Sequence, residues 1–401
     1  MGGRGMTTRI IAGIAAALAL AAPAAAQDFN AAPPNGKGQQ PAFPGQTRAP
    51  VMASDVALET QTVTAGLEHP WGMAELPNAK GWLVTERPGR LRLIGPDGKM
   101  SAPIKGLPKV DSRGQGGLLD VALAPDFAQS RRIFFSFSEP REDGKNGTAV
   151  GTGILDDAMT TLGETKVIFQ QQPAWDSDKH FGSRLVFDRE GMLFVTTGER
   201  SNPEPRQLAQ DVTTDLGKVI RIPPDGQSAP GNPQIQNGRL EIYSYGHRNL
   251  QAAALAPDGT LWTIEHGPKG GDELNHIRPG VNYGWPIITY GTDYSGAPIG
   301  EGITSQEGLE QPVYYWDPVI GPSGMTFYDG AMFPEWKGQI VAGGLVSQSI
   351  VRLALEGDKV TGEARDLQGI GRVRDVAVAA DGALMLLTDA DDGALIRVTR
   401  K

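Results

Sequence analysis

One pattern recurs along most of the chain, and it limits the fold more than any other feature. Each copy consists of a β-rich run, a turn built on Asp-Gly or its equivalent, and a second β-rich run. Three clear copies occupy residues 185–200, 253–268 and 376–393, and three looser copies occupy residues 72–94, 118–140 and 324–344. Turn residues that accept positive φ angles, flanked by Leu, Val, Phe, Ile and Thr, predict a β-hairpin in each copy.

The spacing of these copies predicts a repeated all-β fold. Six copies over roughly 330 residues give about 55 residues per unit, amphipathic helices are scarce, and the chain contains 53 glycines. A β-helix would show a much shorter period, and a pair of β-sandwiches would show a linker near mid-chain. The sequence has neither feature, so we predict a β-propeller of four-stranded antiparallel blades.

The first 50 residues divide into two segments that precede this domain. Residues 1–26 combine a basic start, an apolar run at 10–22 and a small-residue cleavage site, which predicts a signal peptide and a periplasmic or secreted protein. The apolar run of about 13 residues is shorter than the roughly 20 that span a membrane, which makes an uncleaved anchor the weaker alternative. Residues 27–50 are rich in Pro, Gly, Gln and Asn, which predicts a flexible segment, and residues 51–401 form a single propeller domain.

Charge and cysteine content exclude several functions. The formal net charge is −9, whereas nucleic acid and anionic membranes require basic patches, so we expect no nucleic-acid partner and no membrane insertion. The chain has no cysteine. Disulfides, thiolate metal sites and cysteine nucleophiles are therefore excluded.

Propellers commonly bind ligands where loops converge at one end of the central channel, so polar loop residues are the first candidates. Gln115 lies among glycines that permit close approach of a ligand, although a structural turn also explains it. His180 stands at a strand entrance and can remove a proton near neutral pH if its imidazole is uncharged. A lone surface histidine is, however, usually inert.

Three arginines offer donors to an anionic group. Arg248 lies in a Gly-His-Arg-Asn turn and presents a planar fork suited to carboxylates or to developing oxyanion charge. Its alternative role is to brace neighbouring loops. Arg372 and Arg374 are two residues apart, so on a strand they share a face, which suits a polycarboxylated ligand or a solvated edge pair.

The segment around residues 264–286 predicts a cation site. Gly267 and Pro268 can project carbonyl oxygens, and Asp272 and Glu273 add carboxylates. An all-oxygen ligand set suits a hard cation such as calcium. Trp285, in the same segment, is expected to be a packing residue.

Six motifs occur together in an order that resembles one known family. GQGGLLDVAL, HFGSRLVFD, GHRN, EHGPKGGDELN, NYGWP and RVRD resemble the soluble aldose sugar dehydrogenases and their glucose dehydrogenase relatives that use pyrroloquinoline quinone (PQQ). The resemblance covers about residues 57–400. The family fold is a six-bladed propeller, which agrees with the six hairpin copies.

This resemblance implies roles for individual residues. His180 would be the general base that takes the proton of the anomeric hydroxyl while hydride passes to PQQ, and Arg248 would polarise the accepting carbonyl. The remaining residues implied at the cofactor are Gln115, Asn249, Tyr294, Arg372 and Arg374.

Two calcium positions are implied by the same resemblance. Backbone oxygens of Gly267 and Pro268 would hold a Ca²⁺ that also touches the quinone, and Glu273 with the backbone near Tyr283 matches a second, structural position. The sequence departs from the family at Val346, where a lysine is common, so one cofactor contact is expected to be missing.

The resulting hypothesis is PQQ-dependent oxidation of aldoses at the anomeric carbon to lactones, with an external electron acceptor, by a monomer or homodimer. One alternative is a calcium-dependent propeller hydrolase of the lactonase type, which would hold its metal through carboxylate side chains and would not need Arg372 and Arg374. The other alternative is a non-catalytic propeller that binds glycans or proteins.

Overall fold

The computed structural model describes residues 1–2, 28–54 and 56–401. Apart from its first two residues, the predicted signal peptide lies outside the described residues. Within those residues, none of the helices has the length and apolar character needed to cross a bilayer.

The described chain contains 23 strands in six sheets. In chain order they are β1 (Leu58–Leu67); β2 (Pro70–Glu75), β3 (Trp82–Glu86) and β4 (Arg90–Ile94); β5 (Leu118–Leu123), β6 (Arg132–Pro140), β7 (Asn146–Leu155) and β8 (Leu162–Gln170); β9 (Gly182–Phe187), β10 (Leu193–Thr197), β11 (Lys218–Ile222) and β12 (Ile242–Tyr245); β13 (Leu250–Leu255), β14 (Leu261–Glu265), β15 (Asp272–Ile277) and β16 (Tyr314–Trp316); β17 (Pro322–Phe327), β18 (Ile340–Gly344), β19 (Ser349–Glu356) and β20 (Lys359–Asp366); β21 (Val373–Val378), β22 (Leu384–Thr388) and β23 (Gly393–Arg400). Helical structure in the described part of the chain is limited to short segments: the α-helices α1 (Phe127–Ser130) and α2 (Pro203–Arg206), and the 3₁₀ turns Phe29–Ala31, Pro77–Ala79, Glu142–Gly144, Gln207–Ala209 and Pro334–Trp336.

These strands form a six-bladed β-propeller, which confirms the predicted fold class. Strands β2, β5, β9, β13, β17 and β21 begin blades 1 to 6 and contact one another in a closed ring around the central channel. Each of the six repeated hairpins in the sequence supplies the first two strands of one blade. For example, residues 185–200 contain most of β9 and all of β10.

Blades 1 and 6 depart from simple repetition. Blade 6 takes its outermost strand from the start of the domain, because β1 pairs antiparallel with β23 from Leu58 opposite Arg400 to Leu67 opposite Gly393. Blade 1 has three strands, followed by a single bridge between Ile94 and Met100. Prolines that lack an N–H donor are frequent in the residues after β4, which disfavours a full fourth strand there.

The hydrophobic core is divided among the blade junctions. Six of the buried apolar clusters each join two adjacent blades: one, for instance, packs Trp262 and Leu274 of blade 4 against Phe327 and Ile340 of blade 5. Sheets that are covered on both faces account for the long apolar runs in the strands. The loops at the ends of the channel are consequently held by rigid neighbours.

A buried ion cluster joins the inner strands β5, β9 and β21. Nη1 of Arg184 lies 3.1 Å from carboxylate oxygens of both Asp120 and Asp375. Gly72 and Gly324 make room for the two carboxylates, because a Cβ would lie 2.5 Å from Oδ1 of Asp120 at the former and 1.8 Å from Oδ1 of Asp375 at the latter. We refer to Asp120, Arg184 and Asp375 as the channel triad.

Residues 28–50, which we call the N-terminal segment, run along blade 4. Backbone N–H of Tyr315 in β16 donates to the carbonyl of Gln46, and the Gln46 side chain is fully buried. The composition predicts a flexible segment. The contacts arise because Gln and Asn side chains bond to backbone groups at the edge of the blade, which composition alone does not reveal.

Candidate active site

His180 lies just before β9 in a constrained backbone. Its φ is +50°, and its side chain is buried. The backbone N–H donates to Oε1 of Gln115 at 2.9 Å, while Nη1 of Arg200 donates to the His180 carbonyl at 3.2 Å. These two contacts hold the backbone of His180 at both its N–H and its carbonyl.

A carboxylate determines the tautomer of His180. Nδ1 lies 2.8 Å from Oε1 of Glu199, which follows β10. Because a carboxylate accepts, Nδ1 carries the proton and Nε2 keeps its lone pair, an arrangement that suits a base. Burial, with repulsion from Arg248, lowers the pKa of His180 despite the opposing effect of Glu199. The imidazole is therefore neutral at neutral pH.

Glu199 remains charged although it is buried. Burial disfavours its ionised form, but the neighbouring His180 and Arg248 outweigh this effect and lower its pKa. Backbone N–H of Ser201 also donates to Oε2 of Glu199 at 2.5 Å. The carboxylate is thus held in place by its own loop.

Arg248 joins blades 3 and 4 beside the histidine. Its backbone N–H donates to Oε2 of Glu265 at 2.5 Å, and Nη1 donates to the carbonyls of His266 and Gly267 at 2.9 and 2.7 Å. The guanidinium carbon lies 5.3 Å from the centroid of Trp285, which is buried as predicted. Nε of Arg248 is buried without a partner among the described residues.

Asn249 connects neighbouring blades. Its Oδ1 accepts the backbone N–H of Gly182 at 3.0 Å, at the start of β9. The backbone of Glu199 also donates to the carbonyl of Arg248 at 3.0 Å. These bonds bring the loop that carries His180 against the loop that carries Arg248.

Arg372 and Arg374 converge on one carboxylate, Asp389. Nη2 of Arg374 lies 2.7 Å from its Oδ2, and Nη2 of Arg372 lies 3.6 Å from the same atom. Arg374 is buried, donates through Nη1 to Gln251 at 3.1 Å, and has an Nε without a partner in the described structure. Arg372 is about half exposed and donates to the carbonyl of Leu345 at 3.3 Å.

A small cavity lies behind Arg248. Its volume is about 10 Å³, room for roughly one water-sized group. Its lining consists of Arg248, Glu265, His266, Gly267, Gly271, Glu273, Trp285 and Thr289. Burial and the adjacent Glu265 raise the pKa of Glu273 well above its ordinary value. A divalent cation would relieve this repulsion between the side chains of Glu265 and Glu273.

The remaining predicted residues are less closely connected. Tyr283 stacks on His247 with ring centroids 4.6 Å apart, and His247 in turn bonds to Glu265 at 3.0 Å. Tyr294 is 73% exposed, and its hydroxyl makes no hydrogen bond to any described residue. Val346 is also exposed and follows Leu345, whose carbonyl accepts from Arg372.

The structure therefore brings most of the candidates to one end of the channel. His180, Gln115, Asn249, Arg248 and Gly267 are connected by the bonds above, and Arg374 reaches the same region. The carbonyl of Gly267 already accepts from Arg248, but its second lone pair remains for a cation.

Sequence reasoning missed two members of the site. Glu199 orients His180. His266 donates from Nε2 to the carbonyl of Pro322 at 2.5 Å, and burial lowers its pKa to about 3, with repulsion from Arg248, Arg374 and His180 adding to the effect. Both residues occur inside quoted segments, but only their position across blades reveals their roles.

The donor set fits a polycarboxylated cofactor and a hard cation. Two arginines from blades 4 and 6 each leave a buried Nε without a partner among the described residues. A buried guanidinium with an N–H donor still free can bind a ligand carboxylate, since charge-assisted bonds are the strong ones. The cavity beside Arg248 includes the carboxylates of Glu265 and Glu273 in its lining, and carboxylate oxygens are ligands that calcium prefers.

Comparison with known proteins identifies the family of this chain. The family model described as Glucose / Sorbosone dehydrogenase matches residues 67–397. The chain is 44% identical over 354 residues to the aldose sugar dehydrogenase YliI of Escherichia coli K12, covering 87% of this chain and 95% of that protein.

Solved structures give the same result. A crystal structure of a glucose dehydrogenase superimposes with a TM-score of 0.83 at 50% identity, covering 86% of this chain and 100% of that one. The PQQ-bound form of an aldose sugar dehydrogenase from Streptomyces coelicolor does so with a TM-score of 0.71 at 30% identity, with the same coverage. The resemblance seen in the motifs is confirmed, and the chain belongs to the glucose/sorbosone dehydrogenase family.

Proposed function

We propose that this protein is a PQQ-dependent aldose sugar dehydrogenase that oxidises the anomeric carbon to a lactone and passes electrons to an external acceptor. One observation carries the proposal: a neutral histidine shares its end of the channel with Arg248 and Arg374, whose buried Nε atoms lack partners among the described residues. Gln251 links the two sides, since it accepts from Arg374 and donates to the carbonyl of Gly182, two residues after His180. A base and a carboxylate-binding cluster in one channel mouth suit a dehydrogenase with an anionic cofactor.

His180 accepts the proton of the anomeric hydroxyl at Nε2. Glu199 holds Nδ1–H and stabilises the imidazolium that forms, as a buried carboxylate does for other catalytic histidines. Gln115 fixes the backbone of His180, and the ring therefore keeps its orientation through the proton transfer. Burial, together with the positive charge of Arg248, lowers the pKa of the His180 imidazole and keeps it neutral before substrate binds.

The cofactor and the cation would be held by different groups. Arg248, Arg372 and Arg374 would bind the quinone, with Asn249, Gln115 and Tyr294 at its edges, and backbone oxygens of Gly267 and Pro268 would hold one Ca²⁺. Glu273 and the backbone of Tyr283 would hold a second. When bound, the quinone supplies the hydride acceptor and calcium supplies a Lewis acid.

Reconstitution tests the proposal directly. PQQ and Ca²⁺ are added to the purified protein, and a dye is used as electron acceptor with a panel of aldoses. We expect a change in cofactor absorption and dye reduction that requires both additions. Lactone cleavage without quinone would instead support the hydrolase alternative, and inertness in both assays would support a binding protein.

Glu199→Gln tests the orientation of the base. The amide would offer an N–H to Nδ1, so the proton would move to Nε2 and the lone pair would be lost. We expect kcat to fall about 10²-fold to 10⁴-fold with little change in quinone affinity. Glu139→Gln on blade 2, which removes a carboxylate outside the site, is the control, and equal kcat in both variants would contradict this role.

A further inference from the structure

The N-terminal segment is attached to the residues that support the candidate cation loop. Backbone N–H groups of Asn35 and Gly36 donate to the carboxylate of Asp317 at 2.5 and 3.2 Å. Nε2 of Gln39 donates to the carbonyl of Gly291 at 3.1 Å. The segment lies outside residues 67–397, which the family model matches.

Gln46 is the buried anchor of this segment. Its Oε1 accepts the backbone N–H of Ala42 at 2.7 Å, and its Nε2 donates to the carbonyl of Pro312 at 2.9 Å. The hydroxyl oxygen of Tyr290 lies 3.0 Å from the same Oε1 and makes a shorter bond, 2.5 Å, to Oε1 of Gln311. Burial of an amide is costly unless it is hydrogen-bonded, so these bonds define where the segment lies. Tyr290 in turn stacks on Tyr315, with ring centroids 3.9 Å apart.

The residues held by the segment form the wall behind residues 267–271, which we call the site loop. Lys269 and Thr292 exchange two backbone hydrogen bonds of 2.9 and 3.0 Å, and Gly271 N–H donates to the carbonyl of Trp316 at 3.0 Å. A Cβ on Gly291 would lie 2.3 Å from the carbonyl oxygen of Gly270, so the two backbones are in close contact.

We propose that the N-terminal segment is a positioning strap for the site loop. By holding Tyr290, Gly291 and Asp317, it keeps the loop pressed toward the channel and fixes the direction of the carbonyls of Gly267 and Pro268. The part of this inference that concerns calcium rests on the proposed function. The part that concerns loop order stands on the contacts alone.

The test compares Gln39→Ala/Gln46→Ala with the full-length parent. Hydrogen exchange of the Lys269 and Gly271 amides is measured without ligand, and the affinity for Ca²⁺ alone is measured by calorimetry. We expect exchange at these amides to rise about tenfold, with β3 of blade 1 unchanged, because local opening depends on the bonds that are lost. The Kd for Ca²⁺ should rise about tenfold, as for other losses of support behind a metal ligand.

Asn30→Ala is the matched control. It removes an amide whose Nδ2 donates to Ala49 within the segment, at 2.8 Å, and leaves the contacts with blade 4 in place. If the double variant fails to fold, the single variant Gln39→Ala, at a half-buried position, is used to measure exchange at the site loop. Unchanged exchange at the site loop, an equal rise in every blade, or the same rise in Asn30→Ala would overturn the strap. If the parent binds no Ca²⁺, the calcium part of the inference is wrong. Hydrogen exchange at the site loop still tests whether the N-terminal segment orders that loop.

Discussion

His180→Asn is expected to lower kcat by about 10²-fold to 10⁴-fold, because it removes the group proposed to take the substrate proton. Asparagine is preferred to alanine for this test, since residue 180 has a φ of +50° and Asn tolerates left-handed backbone. Quinone binding, followed by absorption, should change little. Steady-state dye reduction by the reconstituted variant gives kcat, and near-normal turnover would refute the assignment of the base.

The control for this experiment is His276→Asn. His276 also pairs with a carboxylate, Asp358, at 3.0 Å, but it lies on the third strand of blade 4 and stacks on Trp262. The kcat of His276→Asn should remain close to that of the parent.

The pH dependence of the parent tests the same base. Protonation of His180 removes the lone pair that accepts the substrate proton. Because the pKa of His180 is lowered, kcat/KM should decline only below the ordinary histidine value of 6.5. A decline centred above 6.5 would contradict the buried environment.

Arg184→Met is expected to lower the free energy of unfolding by about 3–5 kcal/mol, because it leaves the two carboxylates of the channel triad without their cation. Asp120 and Asp375 keep their bonds to the backbone N–H groups of Leu185 and Met73, at 2.8 and 3.0 Å, but these do not neutralise the charge. Burial already raises the pKa of Asp375 to about 6. Denaturant unfolding at fixed pH measures the loss.

The sign of the pH dependence follows from this raised pKa. Without Arg184, both carboxyl groups should bind protons more tightly when folded than when unfolded, so stability falls as pH rises through their folded pKa values. The loss of unfolding free energy in Arg184→Met, relative to the parent, should therefore be larger at pH 8 than at pH 5. Arg132→Met, which removes a surface arginine 3.8 Å from Glu164, should cost less than about 1 kcal/mol. A deficit that is equal for the two variants would contradict the role of the channel triad.

The sequence predicted the inner half of each blade better than the outer half. The hairpin copies coincide with the first two strands because an Asp-Gly turn between apolar runs is a local signal. The outer strands carry no such signal. The pairing of β1 with β23 joins residues more than 300 positions apart, and no local pattern indicates it.

The candidate site was only partly predictable for the same reason. Residues in glycine-rich loops, such as His180 and Arg248, stand out from their neighbours in the sequence. Glu199 and His266 gain their importance from partners on other strands, which spacing does not show. Gln46 looked like part of a flexible segment, yet its amide is buried because acceptors and donors of blade 4 surround it.

Blade 6 can be completed only after its strand β23 has been synthesised. Strand β23 lies between β22 and β1, so a nascent chain that lacks Gly393–Arg400 also lacks the strand pairing that completes blade 6. Arg372 and Arg374 belong to this same blade. If these arginines bind an anionic molecule as proposed, we expect affinity for that molecule to arise only after β23 has been synthesised, and chains cut short before β23 should not bind it.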